Sequence, residues 1–271
     1  MFYWIYDMPT WSMVVTFSAV LIGFTWLGTV FLRPFARLFV RSQPGLNDVV
    51  GYLLGAHGVY FGILLGLLAL SAYQNYTDAD GYVTTESGRL AALYRDVSSY
   101  PEPARGELQG LLREYTRYVF QEAWTQYRRG IVPSGGTLRI SRFQAKLLRF
   151  EPATTGQGIL HTETLRQFNS FVEARQVRVS AVTAGIPSIL WYVVFIGVAI
   201  NILLVWLLDM RLVAHLFLGG VAAFFLATLI SLIAAMDNPF RGEVSITPDA
   251  FQLVYDQLMT DGMAPTRSSS P

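Results

Sequence analysis

Apolar residues gather into two long blocks near the N-terminus and two near the C-terminus, and a mixed polar stretch of roughly a hundred residues separates the pairs. The blocks run from Trp11 to Leu32, Gly51 to Tyr73, Ile186 to Leu208 and Leu212 to Ala235, and none contains Asp, Glu, Lys or Arg. Each is close to the ~20 residues with which a helix crosses ~30 Å of hydrocarbon. In that interior a backbone amide must find its partner within the protein, which favours helices. The pattern therefore predicts an all-α membrane protein with four transmembrane helices in a 2+2 arrangement around a helical extramembrane domain.

The polar insert shows helical spacing and no strand signal. From Gly51 to about Tyr100 there is no proline, and past the membrane Tyr73, Tyr76, Val83, Leu90, Leu93, Tyr94 and Val97 keep a helical period. The second span is thus expected to run on as one rod approaching ~75 Å at 1.5 Å per residue. Gly81 and Gly88 offer places to bend, and Pro101 and Pro103 end it. Leu108, Leu111, Leu112, Tyr115, Tyr118 and Val119 line one face of a second helix, closed by Gly130 and by Pro133-Ser134-Gly135-Gly136. Ile140, Phe143, Leu147 and Phe150 mark a third, and Leu160, Leu165, Phe168, Phe171 and Val172 lead into the third span. Beyond the fourth span, Thr247 is placed to cap a short helix, Pro248 to open it and Asp249 to sit at its positive end, with Phe251, Val254, Tyr255 and Leu258 on the apolar side. The expected organisation is spans 1 and 2 in residues 1–73, the helical domain in 74–181, spans 3 and 4 in 182–236, a C-terminal docking segment in 237–259 and a disordered tail in 260–271.

Composition agrees: 52% of residues are hydrophobic and 14% charged, and the mean hydropathy is +0.38. A net charge of +1 gives no field to hold nucleic acid, so none is expected as a partner. Without cysteine there is no disulfide, thiol nucleophile or thiolate metal site. Met1 to Thr10 carries Asp7 but no Lys or Arg and lacks a small-residue cleavage pattern, so span 1 reads as a retained helix. Arg33, Arg37 and Arg41 after span 1 are balanced by Arg166, Arg175 and Arg178 before span 3, and the positive-inside rule sets no orientation. No phosphate-cradling glycine loop, His-Glu-x-x-His or Gly-x-Ser-x-Gly is present, so an enzyme is not expected. No cofactor or metal site is expected either.

Span 2 carries the most information. At about 100° per residue, Gly51, Gly55, Gly58, Gly62 and Gly66 fall in one sector of roughly 80°, a surface suited to close helix packing. Opposite lie Tyr60, Leu64, Leu67, Ser71, Asn75 and Asp78, apolar in the membrane and polar where the helix leaves it. In a ring of subunits that face makes an apolar constriction opening on a polar vestibule; in a single subunit it meets lipid above and solvent below. His57, His215 and Asn201 are the other polar groups inside the spans, read as interhelical hydrogen-bonding groups, with a pH-sensing or metal-binding histidine pair as the alternative.

The segment Asp237-Asn238-Pro239-Phe240-Arg241-Gly242-Glu243 after the last span, with Glu86 to Tyr94, Tyr118 to Trp124 and Pro187 to Trp191, resembles the bacterial bestrophin-like family of membrane proteins. The resemblance covers most of the chain after Gly51. More remotely the chain is similar to true bestrophins, pentameric ion channels whose second transmembrane helix lines an apolar neck and whose polar domain is cytoplasmic. Matching Gly66 to the glycine of that helix implies a neck row at Ile63, Leu67 and Ser71. In true bestrophins the last span is followed by Asn-Pro-Phe-Gly-Glu and an acidic run that helps hold calcium. Here Arg241 intervenes, and Val244-Ser245-Ile246-Thr247 replaces the acids. Calcium gating is therefore not implied.

These readings converge on an oligomeric channel, pentameric by resemblance, that sits in the plasma (inner) membrane and passes small ions passively through a pore lined by Ile63, Leu64, Leu67, Ser71, Asn75 and Asp78. The alternative is a non-conducting scaffold or sensor whose helical domain binds a partner. The seven-residue C-terminal motif is expected to dock on the insert, broken from span 4 by Pro239 and anchored by Phe240.

Overall fold

The computed structural model describes residues 8–41 and 45–260. In chain order the helices are α1 (Thr10–Arg41), α2 (Leu46–Ser98), α3 (Ala104–Tyr118), α4 (Trp124–Tyr127), α5 (Gly135–Leu147), α6 (Thr155–Ala181), α7 (Ser188–Leu207), α8 (Leu212–Asp237) and α9 (Asp249–Val254). Wide π-helical turns, Val119–Ala123 and Tyr255–Met259, join α3 to α4 and extend α9. No strand occurs among the described residues. Among the described residues four helices are long and apolar enough to cross a membrane: Thr10–Leu32 of α1, α2, α7 and α8. The expected tail, apart from Thr260, lies outside the described residues.

The chain forms two compact units. The first comprises Met1–Tyr76, Gly185–Asn238 and Gly242–Val244. Its core joins Phe61, Leu65, Leu68 and Ala72 of α2 to Val194, Val198 and Ile202 of α7 and to Leu226, Ile230 and Ile233 of α8. α1 packs along α8 and also touches α7. Lipid offers no hydrophobic drive between helices, so close approach and hydrogen bonds must hold them. Both are present. Gly219, Gly220, Ala223 and Ala227 are buried along α8, and a Cβ at Gly28 would overlap the Trp206 indole. Three ring N–H groups close a cycle: Trp26 Nε1 donates to Leu216 O at 2.8 Å, His215 Nε2 bonds Val205 O at 2.8 Å, and Trp206 Nε1 donates to Thr25 O at 3.0 Å. Each bond leaves one helix for the next, from α1 to α8, α8 to α7 and α7 back to α1.

The second unit comprises Thr77–Ala184, Pro239–Arg241 and Ser245–Pro271. Here α2 buries Val83, Leu90, Leu93 and Val97, and α3, α5 and α6 bury Leu108, Leu112, Tyr115, Ile140, Phe143, Leu147, Phe168 and Phe171. Tyr115 meets Phe171 edge to face, and Phe143 leans on Phe168. At the start of α6 the Thr154 hydroxyl accepts from Gln157 N while Gln157 Oε1 accepts from Ala153 N, a reciprocal cap that fixes the helix entry.

Local expectations need correction at four points. α6 does not run into the third span: it ends at Ala181, and α7 begins at Ser188 after Gly185 and Pro187. A Cβ at Gly185 would stand 3.2 Å from Asp237 Oδ1, a tight approach that the carboxylate would have to yield to. Thr247 does not cap α9: its hydroxyl donates instead to the Asp249 carboxylate, and Pro248 precedes the helix. Phe150 lies beyond the end of α5 and packs on Tyr100 and His161. Arg178, counted above as a charge beside the membrane, is wholly buried against Glu86.

Candidate functional site in the second span and the C-terminal motif

α2 presents distinct faces. On the inward one, Phe61 seats against Gly197 of α7, where any Cβ would overlap the ring, and His57 Nε2 bonds the Gly197 carbonyl at 3.1 Å. His57 also stacks on Phe61. The two intramembrane histidines thus serve separate carbonyls and do not meet each other. Asn47, at the start of α2, accepts the Asp209 amide of the α7–α8 turn. The glycine face is different: around Gly51, Gly55, Gly58, Gly62 and Gly66, apart from chain neighbours and the helix's own nearby backbone, no atom of the described residues lies within 4 Å of a would-be Cβ. Among the candidate pore residues Ile63 is 58% exposed and Leu67 61%, and Ser71 and Asp78 are exposed. Leu64 and Asn75 are half-buried, and Leu64 leans on the core of the first unit. The candidate set is therefore divided, with Ile63, Leu67, Ser71 and Asp78 exposed and Leu64 and Asn75 half-buried.

The C-terminal motif contributes to each unit. In the first, Asp237 Oδ1 accepts the Ile186 amide at 2.5 Å, just ahead of α7, and Glu243 Oε2 accepts the Thr10 amide at 2.8 Å, the first of α1. Early helix amides lack intrahelical acceptors and carry the positive end of the dipole, so a carboxylate is the favoured partner. Asn238 is half-buried, Pro239 is buried, and Gly242 turns the chain at φ 90°, a left-handed conformation that L side chains avoid. In the second unit Phe240 is buried edge-on against Trp124 and Tyr127, and the Trp124 indole donates to Ile246 O. Arg241 is half-buried.

Sequence inspection passed over one arrangement. Glu86 and Arg178 are both fully buried, with Arg178 Nε 2.5 Å from Glu86 Oε2. Tyr115 donates to Glu86 Oε1 at 2.6 Å, and Trp124, Tyr127 and Phe251 surround the guanidinium with centroids 5.8, 5.0 and 5.4 Å away. Burial opposes the arginine charge, yet Glu86 beside it holds the pKa above the ordinary arginine range. Burial, and then the charge of Glu86, drive the Tyr115 hydroxyl well above its usual value. The signal was available: Glu86 falls in register with Val83 and Leu90 on the buried face. His161 shares a hydrogen bond with Tyr100 through Nδ1 at 2.8 Å. Arg128 and Arg129 are exposed.

Four apolar helices, an insert of helices and a motif whose carboxylates bind the first amide of α1 and an amide just ahead of α7 define a helical membrane protein. Its fold is that of solved membrane proteins of the bestrophin type. A crystal structure of a point variant of a membrane protein superposes with a TM-score of 0.61 at 13% identity, covering 89% of this chain and 98% of that one. Another such variant gives 0.61 at 15% identity, over 90% and 100% of the two chains. A bacterial bestrophin homolog from Klebsiella pneumoniae, also a point variant, gives 0.56 at 14% identity, over 89% and 99%. The sequence profile of the Bestrophin-like domain matches residues 10–251. The chain belongs to the bestrophin-like family. No curated protein matches the sequence.

Proposed function

We propose that the chain is one subunit of a homo-oligomeric channel in the plasma (inner) membrane, passing small ions passively along an axis lined by α2. The observation that carries this reading is the open glycine face. Glycine weakens a helix by about 1 kcal/mol relative to alanine and offers lipid little to pack against, whereas a helix from a second copy can approach such a face closely. Five glycines on one exposed sector thus point to a neighbouring subunit. Away from that sector, on the far face, Ile63 and Leu67 are also exposed, and toward the polar end of the helix Ser71 and Asp78 follow. Around an axis, this order makes an apolar neck that hinders ions because passing it strips part of their hydration, and then a polar widening. Family membership and the bestrophin fold support both the channel and a pentameric count.

Two measurements test the reading in sequence. Mass determination of the full chain in mild detergent is expected to give a pentamer, and a monomer removes the axis. The same preparation in a planar bilayer is expected to carry ionic current, and an intact oligomer that is electrically silent leaves the assembly standing but ends the channel reading.

A further inference from the structure

Between α1, α7 and α8 lies a cavity of about 10 Å³ lined by Thr25, Asn201, Ile202, Gly219, Ala223 and Leu226, among others. All of these residues belong to the first unit. Its walls are apolar apart from Thr25 and Asn201. Thr25 is 2% exposed, and its Oγ1 has no hydrogen-bond partner in the chain. Ser18 of the same helix is likewise buried without a partner but does not line this cavity, and several other hydroxyls of the spans are satisfied within their own helix. Thr29, Thr228 and Ser231 each donate to the carbonyl one turn back, at 2.8, 2.9 and 2.7 Å, the usual way for a hydroxyl in lipid to be satisfied. Asn201, read from the sequence as an interhelical hydrogen-bonding group, is half-buried and lines the same space.

We infer that this cavity binds one small hydrogen-bonding guest of the size of water, held between the Thr25 hydroxyl on α1 and the Asn201 carboxamide on α7. Size and chemistry agree. One water needs roughly 10–15 Å³ of such space and two to four polar partners. A hydroxyl and a carboxamide supply donors and acceptors, and a purely apolar cavity of this kind would stay dry. The guest completes the interhelical role of Asn201: α1 and α7 are joined here through a bridge. The hydrogen-bonded cycle brackets it, because Thr25 and Val205, both cavity residues, provide two of the three accepting carbonyls. Gly219 keeps the space open, since a Cβ there would press on Thr25 Cγ2 at 3.3 Å.

The test uses the full chain in lipid nanodiscs. Magnetisation transfer from water protons, read by solid-state NMR, is expected at the Asn201 side-chain amide and to be lost in Thr25→Val, which keeps the shape and removes the hydroxyl. Thermal unfolding supplies the second measurement. If a guest bridges the two side chains, Thr25→Val lowers Tm by roughly 2–4 °C, and Asn201→Leu has a smaller effect in that background than in the wild type. If the hydroxyl has no guest, Thr25→Val removes an unsatisfied group and Tm stays level or rises. An Asn201 amide without water transfer in the wild type, transfer that persists in Thr25→Val, or strictly additive Tm changes would overturn the site. Thr29→Val, whose hydroxyl bonds its own helix, is the control for general loss of a hydroxyl in the span.

Discussion

Single side chains decide how closely these helices approach, and glycine positions show it most sharply. Gly197 and Gly62 are both small residues in apolar helices, yet their surroundings are opposite. A methyl at Gly197 must displace the Phe61 ring and disturb the His57 bond to the Gly197 carbonyl. Gly197→Ala is therefore expected to destabilise the fold by about 1–3 kcal/mol, seen as a lower unfolding midpoint of the isolated subunit. Gly62→Ala meets no atom of its own chain and should leave that midpoint unchanged while weakening the oligomer, which a detergent titration followed by mass would show. His161 gives a pH-dependent prediction. Burial lowers its pKa below the usual 6.5, so the unfolded chain takes up a proton before the native one does. Stability is then full above about pH 6.5 and falls as pH drops toward the folded-state value. His161→Gln should flatten this part of the stability profile, and an unaltered slope would show that another group is responsible.

At the scale of elements, the C-terminal motif acts through three side chains with different tasks. Asp237 and Glu243 serve the amides ahead of α7 and at the start of α1, while Phe240 fills an aromatic pocket in the second unit. Removing the ring in Phe240→Ala should cost about 3–5 kcal/mol of that unit's stability. Glu243→Gln keeps a hydrogen-bond acceptor but loses the charge, so a smaller loss near 0.3–1 kcal/mol is expected. Unfolding followed by Trp124 fluorescence and by amide exchange at Thr10 separates the two. Much of this architecture was legible in the sequence. The four spans, the unbroken course of α2 and the stop at Pro101 follow from hydropathy, period and proline, because lipid leaves a chain few alternatives. The amide-binding roles of Asp237 and Glu243 were not legible, since their partners lie 51 and 233 residues away in sequence. The buried Glu86–Arg178 pair was half-legible: periodicity places Glu86 on the inner face, but only folding brings Arg178 to it from 92 residues away. Leu64 and Asn75 shared a helical sector with Leu67 and Ser71, and a sector broad enough to hold all four spanned both the inward and the open sides of α2.

For the whole molecule, the proposal stands on whether the open side of α2 faces ions or lipid. By helical period Leu67 and Asp78 fall in the same sector of α2, 11 residues or about 16 Å apart at 1.5 Å per residue. If that side encircles an axis, Leu67 contributes an apolar ring where an ion must shed part of its hydration, and truncation in Leu67→Ala widens the ring and should raise single-channel conductance several-fold. Asp78 would instead supply a ring of negative charge at the polar end, attracting cations by its local potential. Asp78→Asn should then move the reversal potential, under a salt gradient, away from cation preference without closing the pore. Low ionic strength should enlarge that shift, because salt of ~0.1 M already screens charges beyond ~10 Å. Leu64→Ala serves as the comparison, since Leu64 leans on its own subunit's core and is expected to lower stability more than it changes conductance. Equal expression and oligomer mass are required of all three variants. If Leu67→Ala and Asp78→Asn leave both conductance and reversal potential unaltered in an intact, conducting oligomer, α2 faces lipid or a neighbouring subunit and the ions take another route.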